Sequence, residues 1–525
     1  MKVLVTDPIA EEGLNILKKR AELDVRLGIS KDDLLSCIGE YEALIVRSET
    51  KVTEDVIEAG HRLKVVGRAG VGVDNIDVEA ATRHGVMVVN APTGNTISAA
   101  ELAFGLMLSL ARNIPQAHAT LKSGKWNRSA FIGSELRGKT LGIIGLGRVG
   151  SELARRADAM EMKLIGHDPF VSMELARNIG VELVSMDTLI KESDFISVHT
   201  PLTQGTTYLI GEKELAAMKP NARLINAARG GIVDEAALIK AVLEGKLAGA
   251  ALDVFSQEPL PSDSPLLQVD NIIVTPHLGA STAEAQTNVA IDVAIDIMSV
   301  LEGHSARYAV NAPLITPETA AIISPLIPMS SVLGHVAAQL VQGQLDTVSI
   351  KYEGEIANYD TSAVKAAVIG GMLQNVIEER VTLVNASIVA SNRGLKVLEH
   401  KGPITANYQN LITIELQTSD TTATVAGTMM RGETHIVRVD DYWLDIAPSS
   451  SYLLLCENQD RPGIIGAIGT ILGRADINIA FMQVGRDRPR GRALMVLGLD
   501  EPIQESERQQ IMDISYISSV KQVKL

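Results

Sequence analysis

Cysteine is nearly absent from this chain of 525 residues. Cys37 and Cys456 are the only two, too few for a disulfide framework or a cysteine-built zinc site, and in keeping with a reducing cytoplasm. Aromatic residues make up 3%, so the cores must be built from small aliphatics and glycine, as in α/β proteins with buried parallel strands. Positive charge is also short. Forty-eight Lys and Arg against 63 Asp and Glu leave a formal charge of −15. That argues against nucleic acid or an anionic membrane as partner, though a few arginines can still make a local pocket for a small anion. No apolar run of about 18 residues stands out, so no membrane span is expected. The start, Met1-Lys2-Val3-Leu4-Val5-Thr6-Asp7, reads as a first strand ending in an acid, too short for the apolar core of a signal peptide.

The length suggests about three or four domains. Residues 1–97 alternate strands (2–6, 22–26, 43–47, 63–68, 86–90) with helical stretches such as 11–19 and 54–59, which implies a parallel sheet covered on both faces. A long helix is expected from Asn95-Thr96 through 111. The βα alternation restarts at Thr140 and gives six strands, at 140–144, 163–166, 195–199, 223–226, 250–254 and 272–275. An apolar helix over 283–301 should return the chain to the first domain. Gly303, Pro313 and Pro317 then mark 303–317 as a linker. Residues 318–450 read as α+β, with helices at 320–341, 362–372 and 381–390 and strands at 347–352, 411–416, 422–427 and 434–439. The last 75 or so residues follow the order strand, helix, strand, strand, helix, strand, which is the ferredoxin-like split βαβ.

Chemistry enters with Gly145-Leu146-Gly147-Arg148-Val149-Gly150, which follows a strand and opens a helix. Gly145 permits the tight turn, Gly147 lets the backbone approach a pyrophosphate, and Gly150 lets helix pack on strand. The helix N-terminus offers unpaired N–H groups to the diphosphate. Asp168, at the end of the next strand, can accept hydrogen bonds from the adenosine ribose. It would repel a 2′-phosphate by about 4 kcal/mol at ~4 Å and an effective dielectric of ~20, so NAD is favoured over NADP. The fingerprint sits well over a hundred residues into the chain. The cofactor domain is therefore inserted into, or follows, another domain, and the active site is expected in the cleft between them.

Three further motifs fall at strand ends in the second half of that sheet. They are Asn226-Ala227-Ala228-Arg229-Gly230-Gly231, Ser256-Gln257-Glu258-Pro259 and Thr275-Pro276-His277-Leu278-Gly279. They supply an arginine, a carboxylate and a histidine, the set that hydride transfer from a hydroxy acid needs: a base, a cation for the carboxylate, and an acid to tune the base. A Glu258–His277 contact would fix the imidazole tautomer and favour its charged form.

With these motifs the chain resembles the D-isomer-specific 2-hydroxyacid dehydrogenases over residues 1 to about 312. The resemblance implies catalytic roles for Arg229, Glu258 and His277. It also implies cofactor contacts from Arg148, Val149, Thr200, Ala227, Ala228, Asp253, Gly279 and Ala280, with Asp253 facing the nicotinamide carboxamide. In the first domain Arg47 and Arg68 close strands and Arg128 follows Trp126-Asn127. Together with 71–77 and Asn95 they resemble the substrate site of the branch that oxidises 3-phosphoglycerate, which implies Arg47, Arg68 and Arg128 at the phosphate, all from one chain or with one from a neighbouring subunit, and Asn95 at the carboxylate. Residues 452–525 resemble an ACT domain, in which Asn458, Asp460 and Asn478 match positions that bind L-serine. Lys351-Tyr352-Glu353-Gly354 and Val384-Asn385-Ala386 carry a likeness to the intervening domain of the long form.

The fold expected is thus α/β, with two Rossmann-like doubly wound parallel-sheet domains, an α+β intervening domain and a C-terminal ferredoxin-like ACT domain. The divisions are 1–97 completed by 283–312, 98–282, 313–451 and 452–525. The function expected is NAD-dependent oxidation of 3-phosphoglycerate by a cytoplasmic homo-oligomer, dimer or tetramer, with possible serine feedback. Two rivals are a glyoxylate, hydroxypyruvate or 2-oxoglutarate reductase of the same family and a non-catalytic NAD(H)-sensing protein like the co-repressors built on this fold.

Overall fold

The computed structural model describes every residue except 314, 316, 375, 378, 379 and 404–406, and the side chain of 317. The first sheet has five parallel strands in the order Glu22–Val25, Lys2–Val5, Ala43–Val46, Val65–Arg68, Met87–Val89. Its central strands, such as Ala43–Val46, are buried throughout, as expected when both faces are covered. Helix Ala283–Leu301 does return to this sheet. It buries Val289, Val293, Ala294 and Ile297 in the same core as Val3, Ile45 and Val65. Gly13 lies so close to Ala290 that a Cβ would stand 2.7 Å from its carbonyl oxygen.

The second sheet is wholly parallel and runs Ile272–Val274, Gly249–Leu252, Arg223–Asn226, Phe195–Val198, Thr140–Ile144, Lys163–His167, Glu182–Leu183. It has seven strands, not the six expected from sequence. The extra one is a two-residue edge strand, Glu182–Leu183, too short for any periodicity. Helix Thr96–Arg112 packs its Ala103, Leu106, Met107 and Leu110 into this domain's core, on the start expected.

The third sheet is mixed, in the order Lys396–Gly402, Leu345–Gly354, Asn410–Thr418, Thr422–Met430, Glu433–Val439, Tyr442–Ile446. Its first pair is parallel and the others antiparallel. The strands 396–402 and 442–446 were not anticipated; the first alternates charged residues with few apolar ones and carries little pattern. Helix Pro317–Leu340 covers one face and is long and apolar enough, by length and composition, to cross a membrane. This corrects the expectation that no such run exists. Its Leu326, Met329, Leu333, Val336 and Leu340 are buried in the domain core, so its hydropathy serves packing here. The last sheet, in the order Ile479–Arg486, Arg492–Leu499, Tyr452–Gln459, Ile517–Lys524, is antiparallel and has the ferredoxin-like arrangement. One of its faces, with Leu453, Leu455, Val496 and Val523, joins the core of the third sheet. The other packs on helices Ile464–Arg474 and Glu505–Met512.

Two joints were misread from sequence. The 303–317 stretch is not a free linker over its first half. Asp296, fully buried, accepts from the backbone and side chain of Arg307 and from Tyr308 N. Asn311 bonds Val86 O and Val88 N beside the edge strand Met87–Val89. The expected helix 381–390 begins only at Ala386. Residues 380–385 instead form a docking segment on the first domain. Arg380 donates to Leu63 O at 2.6 Å, Thr382 to Gly85 O, and Asn385, fully buried, to Arg83 O and Arg380 O while accepting from Thr382 N. Val384 enters the core of the first sheet. Removing the Asn385 amide strands several buried backbone groups, so Asn385→Ala should lower unfolding free energy by about 2–4 kcal/mol. An unchanged denaturant midpoint would show that the docking segment adds nothing to stability.

Candidate active site

All strands of the second sheet run the same way, so all their C-terminal ends meet at one edge. The order reverses between Thr140–Ile144 and Phe195–Val198, and the glycine loop emerges at that switch point. Gly145 has φ +91, with His199 O 2.7 Å from where a Cβ would stand. Nothing lies within 4 Å of a Cβ on Gly147, whereas one on Gly150 would strike Gly145 O. The three glycines thus divide into a turn, an open approach and a tight helix–loop contact. Helix Arg148–Ala159 starts on Gly147 without a side-chain cap, so its first N–H groups face the open side. Asp168 accepts from Leu146 N at 2.8 Å and Phe170 N at 2.9 Å, which fixes its carboxylate beside the glycine loop. The Thr200 hydroxyl is buried without a partner at the same edge. An open backbone approach, a free helix N-terminus and an orphaned hydroxyl fit a dinucleotide diphosphate.

The expected triplet is brought together. His277 Nδ1 lies 2.7 Å from Glu258 Oε2, and Glu258 Oε1 accepts from Phe255 N. Nδ1–H therefore donates to the carboxylate, which leaves Nε2 outside that contact. His277 has φ +51, a left-handed backbone uncommon for a residue with a Cβ. The loop is held there by Asp253. Its carbonyl accepts from His277 N, while its carboxylate, fully buried, accepts from Thr275 Oγ1 at 2.6 Å, Leu278 N at 2.8 Å and Gly279 N at 3.0 Å. Burial raises the Asp253 pKa. In this structure Asp253 braces the histidine loop.

Asn226, almost fully buried, organises the arginine loop by accepting from Ala228 N and donating to Arg229 O. Gly230 passes so close to Phe255 O that no Cβ fits. Arg229 then reaches across to the first domain, where its Nε is 3.7 Å from Asp74 Oδ2. Arg68 lies in the same region. Its Nε donates to Arg47 O and Asn75 Oδ1, and burial lowers its pKa. Arg47 and Arg68 follow and end neighbouring strands of the first sheet. Asp7, buried, shapes the Arg47 loop by accepting from the backbone of Arg47, Glu49 and Thr50. Sequence reasoning noted Asp7 only as a strand-end acid and passed over Asn226. Asn95 is the half-buried residue before helix Thr96–Arg112. Arg128 is not gathered with the others. It sits on an exposed turn, Arg128–Phe131, beside Trp126 at 83% exposure. Arg148 Nη1 donates to Pro92 O, a further link across the cleft.

The chain aligns over its full length with D-3-phosphoglycerate dehydrogenases. That of Synechocystis sp. is 46% identical, covering 100% of this chain and 95% of its own. That of Methanocaldococcus jannaschii is 45% identical, covering 100% of both. The chain belongs to the D-3-phosphoglycerate dehydrogenase family. Residues 104–279 match the model of the D-isomer specific 2-hydroxyacid dehydrogenase NAD binding domain, 322–440 that of the D-3-phosphoglycerate dehydrogenase intervening domain, and 452–515 the ACT domain. Among solved structures, D-lactate dehydrogenase of Aquifex aeolicus complexed with NAD and lactic acid superposes with TM-score 0.52 at 29% identity, covering 58% of this chain and 96% of that one. The dehydrogenase is therefore an NAD-binding oxidoreductase of this family.

In its ACT domain, Asn458 is buried and its Oδ1 has no partner. Asp460 accepts from Arg490 N and Arg486 Nη1, which hold its carboxyl below the usual range. Asn478 is exposed and donates to Asp500 at 2.6 Å.

One titratable residue of the dehydrogenase went unnoticed in the sequence. His199, just after strand Phe195–Val198, is half-buried, with Nε2 2.8 Å from Ser197 Oγ. Burial depresses its pKa to about 4. The folded protein keeps the ring neutral while the unfolded chain protonates it near 6.5. This stability is fully present above pH 6.5 and is lost as pH falls toward 4, by about 3 kcal/mol in all. Unfolding free energies at pH 7 and 4.5 should differ more for the wild type than for His199→Gln. Equal differences would mean that the histidine is protonated in the folded state.

Proposed function

We propose that the chain oxidises (R)-3-phosphoglycerate to 3-phosphonooxypyruvate with NAD, the entry step of L-serine synthesis. The observation that carries this reading is the Nδ1-anchored imidazole of His277, held by Glu258 on the same strand-end edge as Arg229 and the glycine loop. Bound NAD supplies the acceptor for the hydride leaving C2. His277 Nε2 takes the hydroxyl proton as that hydride leaves, and Glu258 keeps Nδ1 protonated and steadies the imidazolium. Arg229 holds the substrate carboxylate and the oxygen that becomes the carbonyl. Arg47 and Arg68 receive the phosphate, a task suited to guanidinium forks, and Asn95 assists at the carboxylate. Around the cofactor the contacts come from Gly145, Gly147, Arg148, Val149, Gly150, Asp168, Thr200, Ala227, Ala228, Arg229, Asp253, His277, Gly279 and Ala280, with Asp253 facing the nicotinamide carboxamide.

In this reading residues 1–97 with 283–312 bind substrate, 98–282 bind NAD, 313–451 intervene and 452–525 regulate. The protein is cytoplasmic, as its two unpaired cysteines suit, and a homo-oligomer, dimer or tetramer. Exposed Ile114, Leu121, Trp126 and Ile132 make an apolar surface around Arg128 that a second copy would cover. Arg128 of the partner subunit then completes the phosphate pocket.

NADH formation from 3-phosphoglycerate tests the assignment. His277→Asn should lower kcat by about 10²–10⁴-fold. Arg47→Ala and Arg128→Ala should each raise KM for 3-phosphoglycerate while sparing D-glycerate. Equal turnover of phosphorylated and unphosphorylated hydroxy acids by the wild type would reassign the chain to a reductase, and no turnover at all would favour an NAD(H) sensor. A monomer in sedimentation removes the shared pocket.

L-serine is the effector proposed for Asn458, Asp460 and Asn478. The buried, unpartnered Asn458 Oδ1 supports a polar ligand there, and Asp460 can meet an ammonium group. Millimolar serine should slow turnover or raise Tm, less so in Asn458→Ala. No response of either quantity rejects the effector.

A further inference from the structure

The loop 70–75 carries an acid in a site otherwise built for anions. Asp74 belongs to the first domain, and Oδ2 of its carboxylate stands 3.7 Å from Nε of Arg229, which comes from the second. It is also the largest charge partner of Arg68, ahead of Arg229, Arg47 and Asp7. The gap where these groups meet exists because residue 72 is glycine. A Cβ there would stand 2.5 Å from the Asp74 carboxylate and would also strike the Arg229 guanidinium. Arg229 spends another donor on Ala228 O, so its remaining N–H groups are directed at the cleft where Asp74 lies. The Asp74 side chain itself is 76% exposed. Among the described residues none donates a hydrogen bond that would fix it, unlike the neighbouring Asn75, whose amide is tied to Arg47 O and Thr50 O.

We propose that Asp74 is the resident counter-ion of the substrate arginines: an internal carboxylate that competes with the carboxylate of a 2-hydroxy acid for Arg229 and is displaced when substrate binds. The inference rests on the reading of Arg229 as the residue that takes the substrate carboxylate. An exposed ion pair of this kind is weak, at most about 1 kcal/mol, so displacement is easy. An acid placed near these guanidinium groups also lowers their mutual repulsion in the absence of substrate. It sets a threshold that any incoming anion must exceed. Asp74 is thereby a residue that tunes substrate affinity, and it takes no part in proton or hydride transfer.

The test is steady-state kinetics of the full-length Asp74→Asn enzyme. KM for 3-phosphoglycerate should fall about two- to fivefold, the change that loss of a weak ion-pair competitor gives. kcat and KM for NAD should stay within twofold, and Asp74→Glu should keep the wild-type KM. Calorimetric binding of oxalate to the NADH-loaded enzyme should tighten by the same factor in Asp74→Asn. A KM that rises or stays the same in Asp74→Asn overturns the proposal, a rise showing instead that Asp74 orients Arg229. Oxalate binding needs no turnover. Tightening without any 3-phosphoglycerate oxidation would therefore sink the assigned reaction and leave the counter-ion standing.

Discussion

A buried carboxylate holds the chemistry in place. Asp253 ends the strand Gly249–Leu252 and gathers Thr275, Leu278 and Gly279 onto its two oxygens, while its own carbonyl takes the N–H of His277. Those bonds keep His277 in a left-handed backbone that costs on the order of 1–3 kcal/mol. The strain has a geometric use. It turns the imidazole out of the sheet edge, where Nδ1 meets Glu258 and Nε2 is free. An unpaired carboxylate in that position would be intolerable. With three donors it becomes a rigid point of reference for the His277 loop.

The same economy recurs at neighbouring strand ends. Asn226 ties down the loop that carries Arg229, and Asp7 ties down the loop that carries Arg47. In each case a short polar side chain at the end of a strand satisfies backbone groups of the loop that follows, and the long side chain used for binding is left outside. Precision comes from buried groups bonded to the backbone, while groups such as Asp74 and Arg128 stand exposed. The distinction also separates stability from affinity. Loss of a buried brace should disturb the fold, whereas loss of an exposed charge should change only how tightly an anion is held.

The C-terminal half is coupled to this site through more than a peptide linker. Val384 completes the core of the first sheet, and Arg380 binds the carbonyl of Leu63 just ahead of the strand that ends in Arg68. The ACT sheet in turn shares a core with the intervening domain. The last domain is thus packed on the intervening domain, which docks on the first, while the cofactor domain joins the first through two helices, Thr96–Arg112 and Ala283–Leu301.

Much of this was legible in the residues alone. The alternation of apolar runs with helical patterns specified two parallel sheets, because strands buried on both faces leave continuous Val, Ile and Leu. Parallel strands must deliver their C-terminal loops to one edge, so the association of Gly145, Asp168, Arg229, Glu258 and His277 followed from their places after strands. Short or charged elements escaped: Glu182–Leu183 and Lys396–Gly402 carry too little pattern, and 381–385 reads as helix although its apolar residues are shared between two cores, Val384 in that of the first sheet and Val381 and Leu383 against that of the third. Only the tertiary structure decided that Asp253 faces inward, that His199 is packed against Ser197 with its pKa depressed, that Asp74 meets Arg229 across the cleft, and that Arg128 stands away from Arg47 and Arg68. Sequence determines which groups end a strand, since that depends on local hydrogen bonding and hydrophobic period. Which of them meet depends on how separately folded sheets dock, and that is set by packing between residues hundreds of positions apart.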